Sequence, residues 1–151
     1  MNRFNKIVFV CMGNTCRSPM AATIMESFIP DILVESRGMV VLFPEPYNPK
    51  AVAVASRHNM IMPSNCAAQL SGEDFANDTL VLVMNGAMKH KIYDSFSQAI
   101  NVYTLGEFAG EADAEVQDPY GKGIEEYNKC FEGLYELIEK VVAILKNETE
   151  E

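Results

Sequence analysis

The segment VCMGNTCRSP, residues 10–19, places a nucleophile and a cation in one short loop. Five residues separate Cys11 from Arg17, so a tight turn brings thiol and guanidinium around one small object. The planar guanidinium fork grips two oxygens of an oxyanion at once, which a lysine ammonium does not do. Gly13 and Asn14 are residue types that accept left-handed backbone. Ser18 offers a hydroxyl to the sulfur, which stabilises a thiolate both as nucleophile and as leaving group. If a helix starts here, its free N–H groups and its dipole suit a phosphate, arsenate or sulfate dianion, and also favour a thiolate. A bare C-x5-R also fits a small core cysteine beside a surface arginine. Neither the GxxxxGK[ST] pattern nor GxGxxG is present.

The flanking residues predict how such a loop is held. KIVFVC (6–11) reads as a buried parallel strand, and Ser18-Pro19 as the first turn of a helix running to about Phe28. DILVESRG (31–38) reads as a second strand and VLFPEPYNP (41–49), with three prolines, as a loop. A helix over 50–59, a buried strand over 78–84, a short helix over 86–95 and a strand over 99–104 follow. Residues 106–123 show no periodicity and hold four glycines, which predicts a long loop, a class more often functional than inert. Ile124, Tyr127, Phe131, Leu134, Ile138, Val141 and Leu145 form one apolar stripe of a last helix that covers the sheet. The alternation predicts one α/β doubly wound domain over residues 1–151 with right-handed crossovers. In such sheets ligands bind beyond the carboxyl ends of the strands, where Cys11 falls.

The formal net charge of −9 argues against nucleic acid as a partner, which needs basic surface. No apolar run nears the roughly 20 residues of a membrane span, and the N-terminal apolar run breaks too early for a signal peptide. No membrane partner and a cytoplasmic location are the expectations. The four cysteines lack zinc-site spacing and are few for a disulfide scaffold. Cys66 and Cys130 are therefore read as buried free thiols. His58 and His90 are read as surface or helix-end residues.

VCMGNTCRSPMA resembles the phosphate-binding loop of the low-molecular-weight protein-tyrosine phosphatase family, at its usual N-terminal place. DPYGKGIEEY (118–127) resembles that family's aspartate loop before the last helix, and SRG (36–38), PYNPKAV (46–52) and AAQLSGEDF (67–75) match in order between them. The resemblance implies a three-layer α/β fold: a four-stranded parallel sheet of flavodoxin-like order 2-1-3-4 with helices on both faces. It implies a phosphorylated protein or peptide as substrate, a phosphate or sulfate anion in the loop, and no cofactor or metal. Cys11 is then the nucleophile that forms a cysteinyl-phosphate. Arg17 and the amides of Met12, Gly13, Asn14, Thr15, Cys16 and Ser18 hold the equatorial oxygens. Asp118 is the acid for the leaving group and then the base for water.

The resemblance also assigns Asn14, Ser18 and Ser36 to a network bracing the loop. Here the chain departs from the family: Asn65 stands where a histidine is usual, and Ala68 where an arginine is common. Cys16 has the family spacing for a reversible disulfide with Cys11; it either resolves a Cys11 sulfenic acid or packs under the loop. Tyr120, with Phe43 and Tyr47 opposite, is the expected aromatic wall for a phenyl ring. Thr15 leaves the substrate open, because tyrosine-specific members carry an apolar residue there, whereas a threonine resembles the protein-arginine phosphatases. An arsenate reductase needs a further close cysteine pair, which Cys66 and Cys130 do not form. A phosphate-binding module without turnover is the non-enzymatic alternative.

Overall fold

The computed structural model describes residues 3–150, with side chains through residue 147. Four strands, β1 (Lys6–Cys11), β2 (Leu33–Gly38), β3 (Thr79–Val83) and β4 (Val102–Thr104), form an all-parallel sheet in the order β2-β1-β3-β4. This is the 2-1-3-4 order implied by the family resemblance. The central pair is apolar on successive residues: Ile7 to Val10 and Leu80 to Val83 are all fully buried. Such runs are what a strand covered on both faces requires.

The helices are α1 (Arg17–Phe28), α2 (Pro49–Arg57), α3 (Gly86–Ser95), α4 (Leu105–Phe108) and α5 (Ile124–Glu150). Each of the early ones is set by local chemistry. Asn48 caps α2 by accepting from the Lys50 amide, with Pro49 at the first position. Asn85 caps α3 by accepting from the Met88 amide. The stripe of α5 is buried as its spacing predicts, with Tyr127, Phe131, Leu134, Ile138 and Val141 at the core against α1 and α2.

The stretch 106–123 is not wholly irregular. It starts inside the single-turn helix α4, closed by a capping box in which the Thr104 hydroxyl accepts from the Glu107 amide and the Glu107 carboxylate accepts from the Thr104 amide. Gly106 is required here, since a Cβ would lie 2.7 Å from the Glu111 carbonyl oxygen and nearer still to that of Ala114. The backbone is thereby folded tightly just before the segment that carries Asp118. His58 ends α2, stacks on Phe131 at 4.4 Å and bonds Asn128; His90 is exposed beside Asp94.

Candidate active site

Cys11 ends β1 and Arg17 begins α1, so the strand end and the helix start fix both ends of the loop between them. The loop carbonyls are consumed on its outer side. Those of Cys11, Met12, Thr15 and Cys16 accept from the amides of Met39, Val40, Asn48 and Met20 at 2.8–3.0 Å. The loop amides are left over: among the described residues, those of 12 to 16 donate to no protein acceptor. Cys16, at the N-cap of α1, provides no side-chain cap either. Unpaired N–H groups at a helix start favour an anionic partner.

Asn14 is the keystone of the turn. It is 1% exposed and sits at φ +57°, in the left-handed region that asparagine tolerates. Its amide nitrogen donates to Ser18 Oγ at 2.7 Å, and its oxygen accepts from the Ala68 amide at 2.8 Å. Ser18 Oγ lies 3.0 Å from Cys11 Sγ and 3.3 Å from the Arg37 carbonyl oxygen. The hydroxyl is therefore held against the sulfur by contacts on two other sides. Arg37 is itself anchored to Asp74 at 3.2 Å and to Glu35.

Arg17 is only 4% exposed. One arm of its fork donates to the Val116 carbonyl at 3.0 Å, and Nη2 lies 3.6 Å from Asp118 Oδ2. The aspartate loop is thus brought to the phosphate loop by Arg17 from across the chain. Asp118 Oδ1 accepts from the Tyr120 amide at 3.0 Å, which fixes the carboxylate at the head of its turn. A second tie comes from Lys50 Nζ to the Lys122 carbonyl at 2.7 Å.

These groups share a cleft of about 340 Å³, lined by Cys11, Thr15, Arg17, Phe43, Asp118 and Tyr120 among others. Phe43 and Tyr120, both exposed, are among its lining residues. A second cleft of about 420 Å³ lies behind the aspartate loop. Glu111, Glu115, Glu126 and Glu136 line it, and their charge repels a phosphate dianion. Among the described residues, no group of three or more acidic, histidine or cysteine side chains is arranged to hold a metal.

Some expected positions fall elsewhere. Tyr47 is turned away from the Cys11 cleft; it packs on the core and lines a separate cleft with Pro19, Ala22 and Asn65. The three prolines of residues 41–49 lead the chain round so that only its first part faces the site. Ser36 lies under the sheet edge in that same cleft, and the bracing contact to Ser18 comes from the carbonyl of Arg37, one residue on. Asn65 is exposed and does not reach the loop, because Asn14 takes its second bond from the backbone of Ala68. Cys66 is exposed rather than buried. Cys130 is half-buried, and its sulfur donates to the Gln117 carbonyl oxygen at 3.7 Å. The contact with Cys130, followed by burial, pushes the Cys16 thiol far up from its ordinary value, so it stays protonated.

Sequence reasoning passed over Val40, Val41, Leu42 and Glu45, which also line the cleft. It also passed over Gln69, whose side chain accepts from the Val41 amide at 2.7 Å and donates to the Met39 carbonyl at 2.9 Å, shaping that wall. The signal was available, since residues after a strand adjacent to β1 must flank whatever binds at the carboxyl end of β1.

Residues 6–151 match the family described as low molecular weight phosphotyrosine protein phosphatase. A low molecular weight protein-tyrosine-phosphatase, PtpB, of Staphylococcus epidermidis is 32% identical over 136 residues, covering 90% of this chain and 96% of that protein. The low molecular weight protein-tyrosine-phosphatase Wzb of Salmonella typhi is 33% identical over 138 residues, covering 91% and 89%. Among solved structures, the YwlE arginine phosphatase from Geobacillus stearothermophilus superposes with a TM-score of 0.87 at 32% identity, covering 95% and 94%.

Proposed function

The chain belongs to the low molecular weight phosphotyrosine protein phosphatase family, and from that premise we propose that it hydrolyses phosphotyrosine in proteins through a cysteinyl-phosphate on Cys11. The observation that carries the reading is the set of unsatisfied loop amides around a sulfur that already has a hydroxyl 3.0 Å away. Cys11 Sγ attacks phosphorus in line. Charge building on the equatorial oxygens is met by the amides of residues 12–18 and by the Arg17 guanidinium. Asp118, at the mouth of the same cleft, protonates the departing phenolate. In the second step it takes a proton from the water that attacks the cysteinyl-phosphate, and the sulfur leaves toward the Ser18 hydroxyl. The phenyl ring of a phosphotyrosine finds aromatic lining in Tyr120 and Phe43, which a phosphoserine does not use.

A second reading, phosphoarginine as substrate, is favoured by one specific observation. Thr15 and Glu45 both line the cleft, so a hydroxyl-bearing and a carboxylate-bearing residue are among its walls. A cationic guanidinium suits that space better than a phenyl ring does. Hydrolysis of p-nitrophenyl phosphate by the wild type and by Cys11→Ser tests the chemistry: equal rates sink it. Turnover of phosphotyrosine and phosphoarginine peptides, with Thr15→Ile beside the wild type, tests the substrate. Preference for phosphoarginine that Thr15→Ile reverses establishes the second reading over the first.

A further inference from the structure

Asp118 stands on a stretch, residues 116–123, that belongs to no helix or strand, and its side chain is 49% exposed. An acid so placed must be held from outside, because proton transfer needs the carboxyl within hydrogen-bond reach of the leaving oxygen. Arg17 holds the start of the stretch, through the Val116 carbonyl and Asp118 itself. The far end has a different holder. There the Lys122 amide donates to the Pro119 carbonyl at 3.0 Å and closes the turn 119–122. Within that turn the Tyr120 amide donates to Asp118 Oδ1 at 3.0 Å. The Lys122 carbonyl in its turn accepts from Lys50 Nζ at 2.7 Å.

Lys50 is tied to the phosphate loop at its base. Its own amide donates to Asn48 Oδ1 at 2.9 Å, the capping bond of α2, and the Asn48 amide donates to the Thr15 carbonyl at 2.8 Å. Its ammonium lies 5.6 Å from the ring centroid of Tyr127, which is 1% exposed on α5, and the ring face attracts a cation at that range. A path of contacts therefore runs from Thr15 in the phosphate loop through Asn48 and Lys50 to the turn behind Asp118. Lys50 is not among the residues that line the catalytic cleft.

We propose that Lys50 is a positioning residue of the reaction: it holds the turn behind Asp118 at a fixed place relative to the phosphate loop, and so governs proton delivery to the leaving group. The inference rests on Cys11 and Asp118 acting as proposed above. A loop held at one point pivots about it, whereas ties at Val116 and Lys122, on either side of Asp118, remove that freedom. One hydrogen bond at an exposed side chain adds little to stability, but a displacement of about 1 Å at a reacting group costs on the order of 10² in rate. As the S–P bond forms and the P–O bond breaks, the leaving oxygen takes the proton of Asp118. The need for that proton grows with the basicity of the oxygen.

The test uses the full chain carrying Lys50→Met, which keeps an unbranched stem and good helix propensity and removes the ammonium. The capping bond from the backbone amide of residue 50 is retained. kcat/KM is measured for phenyl phosphate and for p-nitrophenyl phosphate, whose leaving group is the less basic. It is expected to fall about tenfold for phenyl phosphate and about threefold or less for p-nitrophenyl phosphate. No fall, or a fall for phenyl phosphate no larger than that for p-nitrophenyl phosphate, overturns the proposal. An ammonium that merely attracted the phosphate dianion would act on both substrates alike. In an Asp118→Asn background the same substitution is expected to change either value by no more than about twofold, since the group it positions is gone; a larger fall there also overturns it. Lys50 is exposed, so the urea midpoint is expected to stay unchanged, and Lys50→Gln is measured in the same way should the methionine variant not fold. Equal rates in wild type and Cys11→Ser refute the proposed function, whereas an active wild type with an unaffected Lys50→Met refutes this inference alone.

Discussion

Replacing Asn14 separates the two things it does: holding a left-handed turn and bonding both sides of the loop. Asn14→Ala removes a donor to Ser18 Oγ and an acceptor for the Ala68 amide at a site 1% exposed. A buried group left without its partner costs about 1–3 kcal/mol. Ser18 keeps Cys11 and the Arg37 carbonyl as neighbours, so its loss lies at the low end, while the Ala68 amide has no substitute. Alanine at φ +57° adds about 1–2 kcal/mol of backbone strain. The expected total for Asn14→Ala is about 3–5 kcal/mol. Asn14→Gly loses the same bonds without the strain, but glycine is freer in the unfolded chain by about 0.5–1 kcal/mol. The glycine variant should therefore be the more stable of the two by about 1 kcal/mol. Urea unfolding measures both, read from the midpoint at unchanged slope. An alanine variant as stable as the glycine one, or costing under about 1 kcal/mol, refutes the reasoning. Asn14→Asp keeps the acceptor but sets a negative charge beside the anion site, so KM for p-nitrophenyl phosphate should rise more than stability falls.

Arg17→Lys removes the bond to Val116 and the two-armed grip on an oxyanion; kcat/KM is expected to fall by on the order of 10² or more, with little change seen only if the guanidinium is not the oxyanion ligand. Gly106→Ala forces a Cβ into the carbonyls of Glu111 and Ala114, which should cost about 3 kcal/mol and lower the melting temperature by roughly 6–12 °C in thermal unfolding. Glu107 gives a pH-dependent case. Partial burial pushes its carboxyl up, but the bond from Lys89, that from the Thr104 amide and the Lys89 charge outweigh it, and the net shift is below the ordinary 4.5. Its stabilisation is thus present above pH 4.5 and is lost as acid takes the pH down through the lowered value. Glu107→Gln should be less stable than wild type by about 1 kcal/mol at pH 7 in urea unfolding, and the gap should close in strong acid; a gap independent of pH removes the charge from the explanation.

What the sequence discloses here follows from how far apart the interacting groups lie in the chain. Cys11, Arg17 and Ser18 are readable because one strand end and one helix start carry all three, so spacing alone constrains their geometry. The parallel sheet is readable because strands covered on both faces need unbroken apolar runs, and residues 6–11 and 79–83 provide them. Even α4 left a local mark, the Thr104 and Glu107 pair of a capping box, which the glycine content of the segment obscured. Tyr47 and Phe43 differ in a way no local rule captures: both are aromatic, and only the path of the chain past Pro44, Pro46 and Pro49 decides which one faces the cleft. The contact of Cys130 with the Gln117 carbonyl is of the same kind. Helical spacing puts residue 130 at the edge of the buried face of α5, next to Tyr127 and Phe131, but says nothing of what lies opposite. That is set by Arg17, which pulls Val116 and Gln117 into the gap between loop and helix. Arg17, the proposed anion ligand, therefore also holds Asp118 beside the phosphate loop and the Val116 carbonyl next to the residue that Cys130 bonds. It follows that substituting Arg17 should displace the aspartate loop as well as weaken phosphate binding, so kcat for p-nitrophenyl phosphate should fall along with a rise in KM, a coupling that two independent sites would not show.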